Sequence, residues 1–368
     1  MTRLLYLVSH PIQYQAPLLR RIAADPDIRL RVVFGDVASA GVHREPEFGV
    51  DVTWDVPLLD SYDSVSLADT ELSREIAAAD AVWIHGWQYR WQRQALSAAW
   101  RGKVPVLMRG ENWSGAMPAM RGPAGWIRRQ WQRNLFRRVS AFLAIGSRNR
   151  DYYADYGVPD SRIFPMPYAV DNDFFATRAG AAAGNRDVLR RKLGIPSGAR
   201  ILLFVGKLMP RKCPDMLVAA WKKARWSGEP PLLLFVGDGE MGETLRQAAP
   251  DAVFTGFRNQ SELASFYDLA DLLVVPSREE PWGLVVNEAM ACGTAVVASD
   301  EVGAAHDLIG PDTGGAFRAG DVDGLAVALR DCLPKAESLG QAARQRIASW
   351  DFDADIRGLK GALAAVAR

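Results

Sequence analysis

Short apolar runs that alternate with helix-like segments are the feature that most constrains the fold of this 368-residue chain. Continuous apolar runs are typical of strands buried on both faces of a parallel sheet. One series of runs occupies each half of the chain, so the sequence predicts an α/β fold with two Rossmann-like, doubly wound parallel-sheet domains. The predicted strands are Leu4–Val8, Leu30–Phe34, Ala81–His85, Val104–Met108 and Ala141–Ile145, followed by Ile201–Val205, Leu232–Val236, Val253–Thr255, Leu272–Val275 and Ala295–Ala298.

An aperiodic segment marks the boundary between the two predicted domains. It includes PMPYAVDNDFF, which starts at Pro165, and it ends near Gly198. We therefore expect an N-terminal domain over residues 1–170 and a C-terminal domain over residues 171–350. The letters RAGAAAGNRD are low in complexity and predict a mobile surface segment. The last helix-like stretch, over residues 351–368, is compatible with packing on either domain and would complete the first.

Composition narrows the function classes. The formal net charge is +1, so the chain has no global charge that favours nucleic acid, and we expect no nucleic-acid partner. Three cysteines, Cys213, Cys292 and Cys332, lack metal-ligand spacing, which favours reduced thiols in a cytoplasmic protein. The first apolar run is too short for a signal peptide or a membrane span.

A glycine-rich loop follows the predicted strand Leu232–Val236. FVGDGEMG places Gly237, Gly239 and Gly242 in the G-x-G-x-x-G array of dinucleotide-binding folds. Such folds also use an acidic residue about twenty positions later, and none stands at the end of the next predicted strand. A hydride-transfer role is therefore disfavoured. Two interpretations of the glycines remain, a close backbone approach to a nucleotide or a tight turn.

A cationic loop follows another strand of the second domain. Lys207, Arg211 and Lys212 come after Ile201–Val205, and ligands of open α/β sheets bind at the carboxyl ends of strands. Two or three cations at this position suit a diphosphate, which gains negative charge as it leaves. The alternative is a solvated basic loop.

Two glutamates flank a predicted helix start in SREEPWGLVVNEAMACGTAVVAS. Glu280 precedes GLVV, whose backbone amides at a helix N-terminus form a natural phosphate site, and Glu288 lies deeper in the helix. Carboxylates accept two hydrogen bonds from vicinal hydroxyls. Together with the cations, this pattern describes a nucleotide-sugar site, whereas one capping acid and one surface acid would be the structural alternative.

The blocks VGKLMPRK, FVGDGE, FTGFRNQSELASFYDLADLLVVPS and EEPWGLVVNEAMACGTAVVAS, in this order, resemble the retaining nucleotide-sugar glycosyltransferases of family 4 (glycosyl transferases group 1). The similarity is strongest over Ile201 to Ser299, and PYAVDNDFF resembles the hinge of that family. The resemblance implies the GT-B fold, in which two Rossmann-like domains face a cleft.

The resemblance also implies roles for individual residues. Lys207, at a position where the family usually has arginine, and Lys212 would bind the donor diphosphate. Glu280 would contact or position the donor sugar, and Glu288 would hold the ribose hydroxyls. The other donor-binding positions are Gly237, Phe257, Arg258, Gly283, Leu284 and Val285.

The amino-terminal half matches the family less specifically. SHPIQYQAPLLRRIAAD stands where the family has a glycine-rich first loop. After the strand Val104–Met108, many members present a histidine near the reacting sugar, whereas this chain has RGENW. The acceptor-side candidates are therefore His10, His85, Arg109 and Glu111.

An arginine-rich segment between Asn112 and Arg150 contains no acidic residue. Trp126, Ile127 and Trp131 interleave with its arginines at near-helical spacing. This pattern predicts an amphipathic helix over Arg121–Arg138 that contacts an anionic membrane surface or a lipid-linked acceptor. The alternative is a domain helix with a core-facing stripe and solvated arginines.

We therefore expect a retaining glycosyltransferase that moves a sugar from a nucleotide-sugar donor to a glycan, lipid-linked or small-molecule acceptor hydroxyl. Its expected location is the cytoplasm, with a peripheral contact at the inner face of the cell membrane. No cofactor and no essential metal are expected, because the D-x-D-like triplets do not end buried strands and no Cys/His cluster is present. The alternatives are an epimerase or hydrolase that acts on a nucleotide sugar and an inactive nucleotide-sugar-binding subunit.

Overall fold

The computed structural model describes residues 1–41, 43–45, 50–116 and 122–367. Its strands are β1 (Thr2–Val8), β2 (Ile28–Phe34), β3 (His43–Glu45), β4 (Val50–Val52), β5 (Asp63–Ser66), β6 (Ala81–His85), β7 (Val106–Arg109), β8 (Ala141–Ala144), β9 (Ile163–Pro165), β10 (Ile201–Val205), β11 (Leu232–Val236), β12 (Val253–Phe254), β13 (Leu272–Val275), β14 (Ala295–Ser299) and β15 (Gly314–Phe317).

The helices alternate with these strands along both halves of the chain. They are α1 (Gln15–Ala23), α2 (Leu72–Ala78), α3 (Arg90–Arg101), α4 (Gly122–Arg137), α5 (Ser147–Asp155), α6 (Asn172–Ala183), α7 (Arg186–Leu193), α8 (Pro214–Lys223), α9 (Gly242–Ala248), α10 (Gln260–Leu269), α11 (Leu284–Cys292), α12 (Gly303–Leu308), α13 (Val322–Cys332), α14 (Ala336–Ile347) and α15 (Phe352–Val366).

The chain divides into two units. The first comprises Met1–His43, Val56–Tyr168 and Phe352–Arg368. The second comprises Arg44–Asp55 and Ala169–Asp351. The chain therefore passes from one unit to the other at several points, whereas the sequence predicted one boundary near residue 170.

The sheet of the first unit has the strand order β5-β2-β1-β6-β7-β8-β9, and its neighbouring strands pair in parallel. The chain reverses its direction of winding between β1 and β6, which is the point where open α/β sheets bind ligands. Leu7, Ile84, Met108 and Phe142 from the central strands contribute to a single apolar cluster beneath the covering helices.

The sheet of the second unit has the order β12-β11-β10-β13-β14-β15, again with parallel pairing. Its reversal of winding falls between β10 and β13. Leu202, Phe235, Val274 and Val297 are buried in one cluster with side chains of α8 and α13. Both sheets have the doubly wound topology that the apolar runs predicted, so the predicted fold class is confirmed.

The segment RAGAAAGNRD differs from the prediction of a mobile surface stretch, because most of it lies in α6 and α7. Asp171 caps α6 by accepting a hydrogen bond from the backbone amide of Phe174 at 2.9 Å. Alanine is the strongest helix former, and Phe175 and Ala179 are buried within the second unit. Local helix propensity together with burial therefore orders a sequence that looks like a linker by composition.

The carboxy-terminal helix α15 packs against β8, β9 and α1 of the first unit. Its Asp353 forms an ion pair with Arg21, and its Lys360 forms ion pairs with Asp25 and Asp27. The three cysteines are free, buried thiols. Within the described ranges, no helix combines the length and the apolar character needed to cross a membrane.

Candidate functional site

The candidate donor site in the second unit lies where the loops after β10 and β13 begin, at the reversal of winding in the sheet. The loop after β10 contains Lys207 and a 3-10 turn at Pro210–Lys212. The loop after β13 contains Glu280 and leads into α11. Backbone pairing of Arg278 N with Arg211 O at 2.8 Å joins the two loops.

Both loops contain a non-glycine residue in the left-handed region, Cys213 at φ 50° and Glu279 at φ 52°. Backbone conformations of this kind cost about 1–3 kcal/mol and persist where the surrounding contacts impose them, often at functional sites. Glu279 is held by a hydrogen bond from its amide to Glu301 Oε2 at 3.0 Å. The strained backbone thus accompanies the loops that bear the predicted ligand-binding charges.

Lys212 and Glu280 form an ion pair between these two loops. Both side chains are largely buried, and the backbone of Glu280 is fixed by hydrogen bonds to Glu301 O at 3.1 Å and from Gly303 N at 3.0 Å. The pair brings Lys212, which was predicted to bind the donor diphosphate, next to Glu280, which was predicted to contact the donor sugar. Lys207, half-buried, lies on the same loop as Lys212.

The N-terminus of α11 is preceded by Gly283, which adopts a left-handed conformation at φ 91°. The first hydrogen bond of the turn runs from Val286 N to Gly283 O at 2.9 Å. The amides of Leu284 and Val285 therefore precede the hydrogen-bonded part of the helix, where backbone donors suit an anion, and both residues are half-buried. This is the arrangement that the letters GLVV predicted.

Glu288 lies one turn farther along α11 and is buried. Tyr267 on α10 donates a hydrogen bond to Glu288 Oε2 at 2.6 Å. Burial raises the pKa of Glu288 to about 7, and the Tyr267 hydrogen bond opposes this rise only in part. Sequence reasoning missed Tyr267, because the letters SFYDLA look like an ordinary apolar helix face.

The glycine array after β11 has a structural explanation. A Cβ on Gly237 would lie 1.9 Å from Gly206 O, and one on Gly239 would lie 2.5 Å from Leu208 O. The loop after β11 therefore packs directly on the loop after β10, and Leu208 N donates to Asp238 O at 2.8 Å. Close backbone packing inside the unit, which is neither of the two interpretations drawn from the sequence, explains why Gly237 and Gly239 are glycines, and Gly237 supports the cationic loop.

Phe257 and Arg258, the positions expected near the nucleotide base, follow β12. The Arg258 guanidinium donates to Thr255 O at 3.1 Å and pairs with Glu262, so the side chain shapes its own loop. The ring of Phe257 packs edge-on against Trp54 at 6.1 Å. Asp55 Oδ2 accepts a hydrogen bond from Ser261 N at 3.0 Å.

Trp54 and Asp55 belong to the short early segment that lies in the second unit. No periodicity in this segment predicts that it lies there. The contacts with Phe257 and Ser261 explain why it lies in the second unit.

In the first unit, His85 and Glu111 lie together at the carboxyl ends of β6 and β7. His85 Nε2 is 3.8 Å from Glu111 Oε1. Tyr168 donates a hydrogen bond to the same oxygen, and Tyr14 donates to it at 3.4 Å. Burial opposes the ionisation of Glu111, but His85 and Tyr168 outweigh it and lower the pKa of Glu111 to about 2.

Arg109 does not match its expected acceptor-side role. It is 1% exposed. Its guanidinium donates to Met166 O at 2.9 Å, to Pro167 O at 3.1 Å and to Asp355 Oδ1 at 3.1 Å. Because these bonds tie β7 to the chain after β9 and to α15, Arg109 stabilises the first unit and is too deeply buried to bind an acceptor.

His10, the remaining acceptor-side candidate, is exposed. Its Nδ1 lies 2.8 Å from Ser9 Oγ. Among the described residues, no group of three or more histidine, cysteine, aspartate or glutamate side chains is arranged to hold a metal ion.

Part of the chain matches a known protein family. Residues 185–346 match the family model of the glycosyl transferases group 1. A D-inositol 3-phosphate glycosyltransferase of Geodermatophilus obscurus is 34% identical over 230 residues, which cover 58% of this chain and 49% of the relative. A GDP-mannose-dependent alpha-(1-6)-phosphatidylinositol monomannoside mannosyltransferase of Mycolicibacterium smegmatis is 30% identical over 252 residues, which cover 62% of this chain and 63% of that relative. The chain thus spans about half the length of the first relative.

Among solved structures, Anabaena HepE in complex with UDP-glucose is similar with a TM-score of 0.70 at 18% identity, covering 99% of both chains. At this identity the likeness shows the fold. Residues 185–346 therefore match the glycosyl transferases group 1, and the chain has the GT-B fold.

Proposed function

We propose that this chain is a retaining glycosyltransferase of family 4 that transfers a sugar from a nucleotide-sugar donor to an acceptor hydroxyl on a glycan, a lipid-linked molecule or a small molecule. The observation that supports this most directly is the ion pair of Lys212 and Glu280, which joins the loop after β10 to the loop that leads to the N-terminus of α11. Cations and free helix amides at one point of a parallel sheet suit a diphosphate, and the adjoining carboxylates suit hydroxyl groups.

The reaction follows from the charges of the site. The bond between the anomeric carbon and the diphosphate oxygen breaks with its electron pair on oxygen, and the new bond forms from the acceptor oxygen to the same carbon. Lys207, Lys212 and the α11 amides stabilise the charge that develops on the leaving diphosphate. A phosphate oxygen takes the proton of the acceptor hydroxyl on the same face, so the anomeric configuration is retained. Glu280 positions the donor sugar.

The proposed reaction needs no metal ion, because fixed positive charges and helix amides supply the stabilisation of the diphosphate. We expect turnover to be unchanged by a chelator of divalent cations.

The experiment that tests the function is incubation with a panel of nucleotide sugars and neutral acceptors, followed by NMR of the products. An α-linked donor is expected to give an α-linked product, read from its anomeric coupling constant. A β-linked product formed directly would contradict retention. An epimerised donor or free sugar without a transfer product would instead indicate an epimerase or a hydrolase, and nucleotide binding without turnover would indicate a binding subunit.

We also propose that α4 contacts an anionic membrane surface at which lipid-linked acceptors reside. Trp126 and Ile127 are 64% and 61% exposed in the first half of this helix, and Trp131 is also exposed. Burial begins only at Gln132 and includes Leu135. The apolar side chains of α4 therefore do not form a single row that faces the core. The first half of the helix instead combines exposed apolar side chains with Arg128 and Arg129, as interfacial helices do.

A further inference from the structure

His85 is surrounded by oxygen atoms in the first unit. Its Nδ1 lies 3.2 Å from the Tyr6 hydroxyl, and its Nε2 lies 3.4 Å from the Tyr168 hydroxyl. Glu111 Oε1 is 3.8 Å from the same Nε2. The ring is therefore held from both ends, and the positions of its protons follow from those of its neighbours.

The proton on Nε2 follows from Tyr168. The Tyr168 hydroxyl donates to Glu111 Oε1, and burial raises the pKa of Tyr168 well above its ordinary value, so the phenol keeps this proton. Both oxygens that face Nε2 then act as acceptors. A bare ring nitrogen there would face only lone pairs, so Nε2 carries a hydrogen that points toward Tyr168 and Glu111.

The opposite side of the ring does not change this result. Tyr6 donates to Gln15 Oε1 at 2.9 Å, which leaves the Tyr6 oxygen to accept a hydrogen bond from Nδ1. If the Gln15 amide is turned by half a rotation, its Nε2 donates to Tyr6 and the Tyr6 proton points at Nδ1 instead. In both arrangements His85 Nε2 donates toward Glu111.

Glu111 uses only one of its two carboxylate oxygens in this cluster. Tyr168, Tyr14 and His85 all approach Oε1, and no hydrogen bond from any residue in the described ranges reaches Oε2. The Glu111 side chain is nevertheless 40% exposed. The result is an ionised carboxylate that its described neighbours hold through Oε1, on a side chain that is partly exposed.

We propose that Glu111 Oε2 is the atom that binds the acceptor, by accepting a hydrogen bond from a hydroxyl group, and that the end of the acceptor bound there is a neutral polyol rather than a phosphate. This inference rests on the proposed transferase function. An ionised carboxylate accepts hydrogen bonds only, so a hydroxyl donor fits it and a phosphate is repelled. The rings of Tyr14 and Tyr168 lie 5.6 Å apart, centre to centre, and both hydroxyl groups are directed to Oε1, which leaves Oε2 as the oxygen for the acceptor.

Glu111 binds and orients the acceptor hydroxyl but does not remove its proton. A carboxylate with a pKa of about 2 is a weak base at neutral pH, and general bases work best with a pKa near the working pH. A Glu111 that orients the acceptor hydroxyl without deprotonating it is consistent with the transfer of the acceptor proton to the leaving diphosphate. His85 and Tyr168 are positioning residues that hold Glu111.

The test is binding of neutral methyl glycosides and myo-inositol, and of their monophosphates, measured by saturation-transfer NMR on the full chain. We expect wild-type protein to bind at least one neutral probe more tightly than its monophosphate. Glu111→Gln should weaken that binding about ten- to hundredfold, the typical effect of losing a hydrogen bond to a charged group. Glu71→Gln, which changes an exposed glutamate of the same unit, should not alter it.

Nucleotide binding, measured by thermal shift, should be the same in wild type, Glu111→Gln and Glu71→Gln, and this shows that each variant is folded. Glu111→Asp, which keeps the charge on a shorter side chain, should bind better than Glu111→Gln. Equal binding of neutral probes by wild type and Glu111→Gln, tighter binding of the monophosphates, or no binding of any neutral probe would overturn the inference. Absence of nucleotide binding by wild type would instead count against the proposed function.

Discussion

Lys212 and Glu280 form an ion pair that joins the loop after β10 to the loop before α11. Because both groups are largely buried, each is left without its counter-charge when the other is removed. The pair therefore fixes the positions of both side chains, which under the proposed function are to face the diphosphate and the donor sugar. A ligand phosphate that enters has to share Lys212 with Glu280.

Replacing Lys212 or Lys207 by alanine is expected to lower kcat by about 10²–10³, because each change removes charge that stabilises the departing diphosphate. The measurement is steady-state kinetics with the donor identified in the nucleotide-sugar screen. Lys223→Ala is the matched control, since Lys223 forms an exposed ion pair with Asp323 in the same unit. Turnover of Lys212→Ala and Lys207→Ala at the rate of the control would refute the assignment of the donor site.

The buried Glu288 predicts a pH dependence of stability. Its pKa is raised from 4.5 to about 7, so its protonated form favours the folded state. This contribution is fully present below pH 4.5 and is lost as the pH rises through about 7, and it amounts to about 3 kcal/mol. Urea unfolding of Glu288→Gln should show a flatter pH profile between pH 4.5 and 7 than wild type.

Glu229→Gln, which changes an exposed glutamate of the same unit, should keep the wild-type pH profile of stability. Tyr267→Phe removes the hydrogen bond that favours the ionised carboxylate and should raise the pKa of Glu288 further. Identical profiles for wild type and Glu288→Gln would show that this carboxyl group does not titrate in the range stated.

Nucleotide binding should depend on pH in the opposite direction. Under the proposed function Glu288 is to accept hydrogen bonds from both ribose hydroxyls, and a carboxylate does so most strongly when it is ionised, so binding should tighten as the pH rises through about 7. Isothermal titration calorimetry with ribonucleotides at pH 6 and pH 8 measures the change. The matching 2′-deoxynucleotides should show a smaller pH effect, and equal pH effects for the two sugars would argue against a Glu288–ribose contact.

The central strands could be predicted from the sequence, and so could the edge strand β12, whereas the edge strands β5, β9 and β15 could not. Ile201–Val205 and Leu232–Val236 are buried on both faces and appear as continuous apolar runs that match β10 and β11. β5, with the letters DSVS, and β15, with GGAF, lie at the ends of their sheets. An edge strand that is buried over only part of its surface does not appear in the sequence as a continuous apolar run.

The site was predictable to the extent that its residues stand in ordered motifs. Lys212, Glu280 and the start of α11 occur at spacings that the sequence shows directly. The residues that contact the site from other elements do not stand in such motifs. Tyr267, for example, reaches Glu288 because α10 packs on α11. Arg109 looked like a ligand-binding cation because it ends a strand, but its actual partners come from distant parts of the chain.

The exposed half of α4 leads to a prediction about membranes. Trp126→Ala combined with Ile127→Ala should reduce sedimentation with liposomes that contain anionic lipid, because apolar side chains at a membrane interface contribute through their buried area. Arg128→Glu should weaken binding further at low salt, since a cation near an anionic surface contributes about 1 kcal/mol. Val188→Ala with Val327→Ala removes exposed apolar side chains of the second unit and serves as the control.

These changes are expected to leave nucleotide binding intact, because α4 belongs to the first unit and the predicted donor residues belong to the second. Arg129 and Arg133 are less suitable for charge reversal. Arg129 donates to Asp155 O at 3.2 Å and lies over the Tyr156 ring, and Arg133 is half-buried, so their loss would disturb the helix itself. If wild type fails to sediment with anionic liposomes at low salt, or if the Trp126→Ala, Ile127→Ala protein sediments as wild type does, α4 is not a membrane-binding helix.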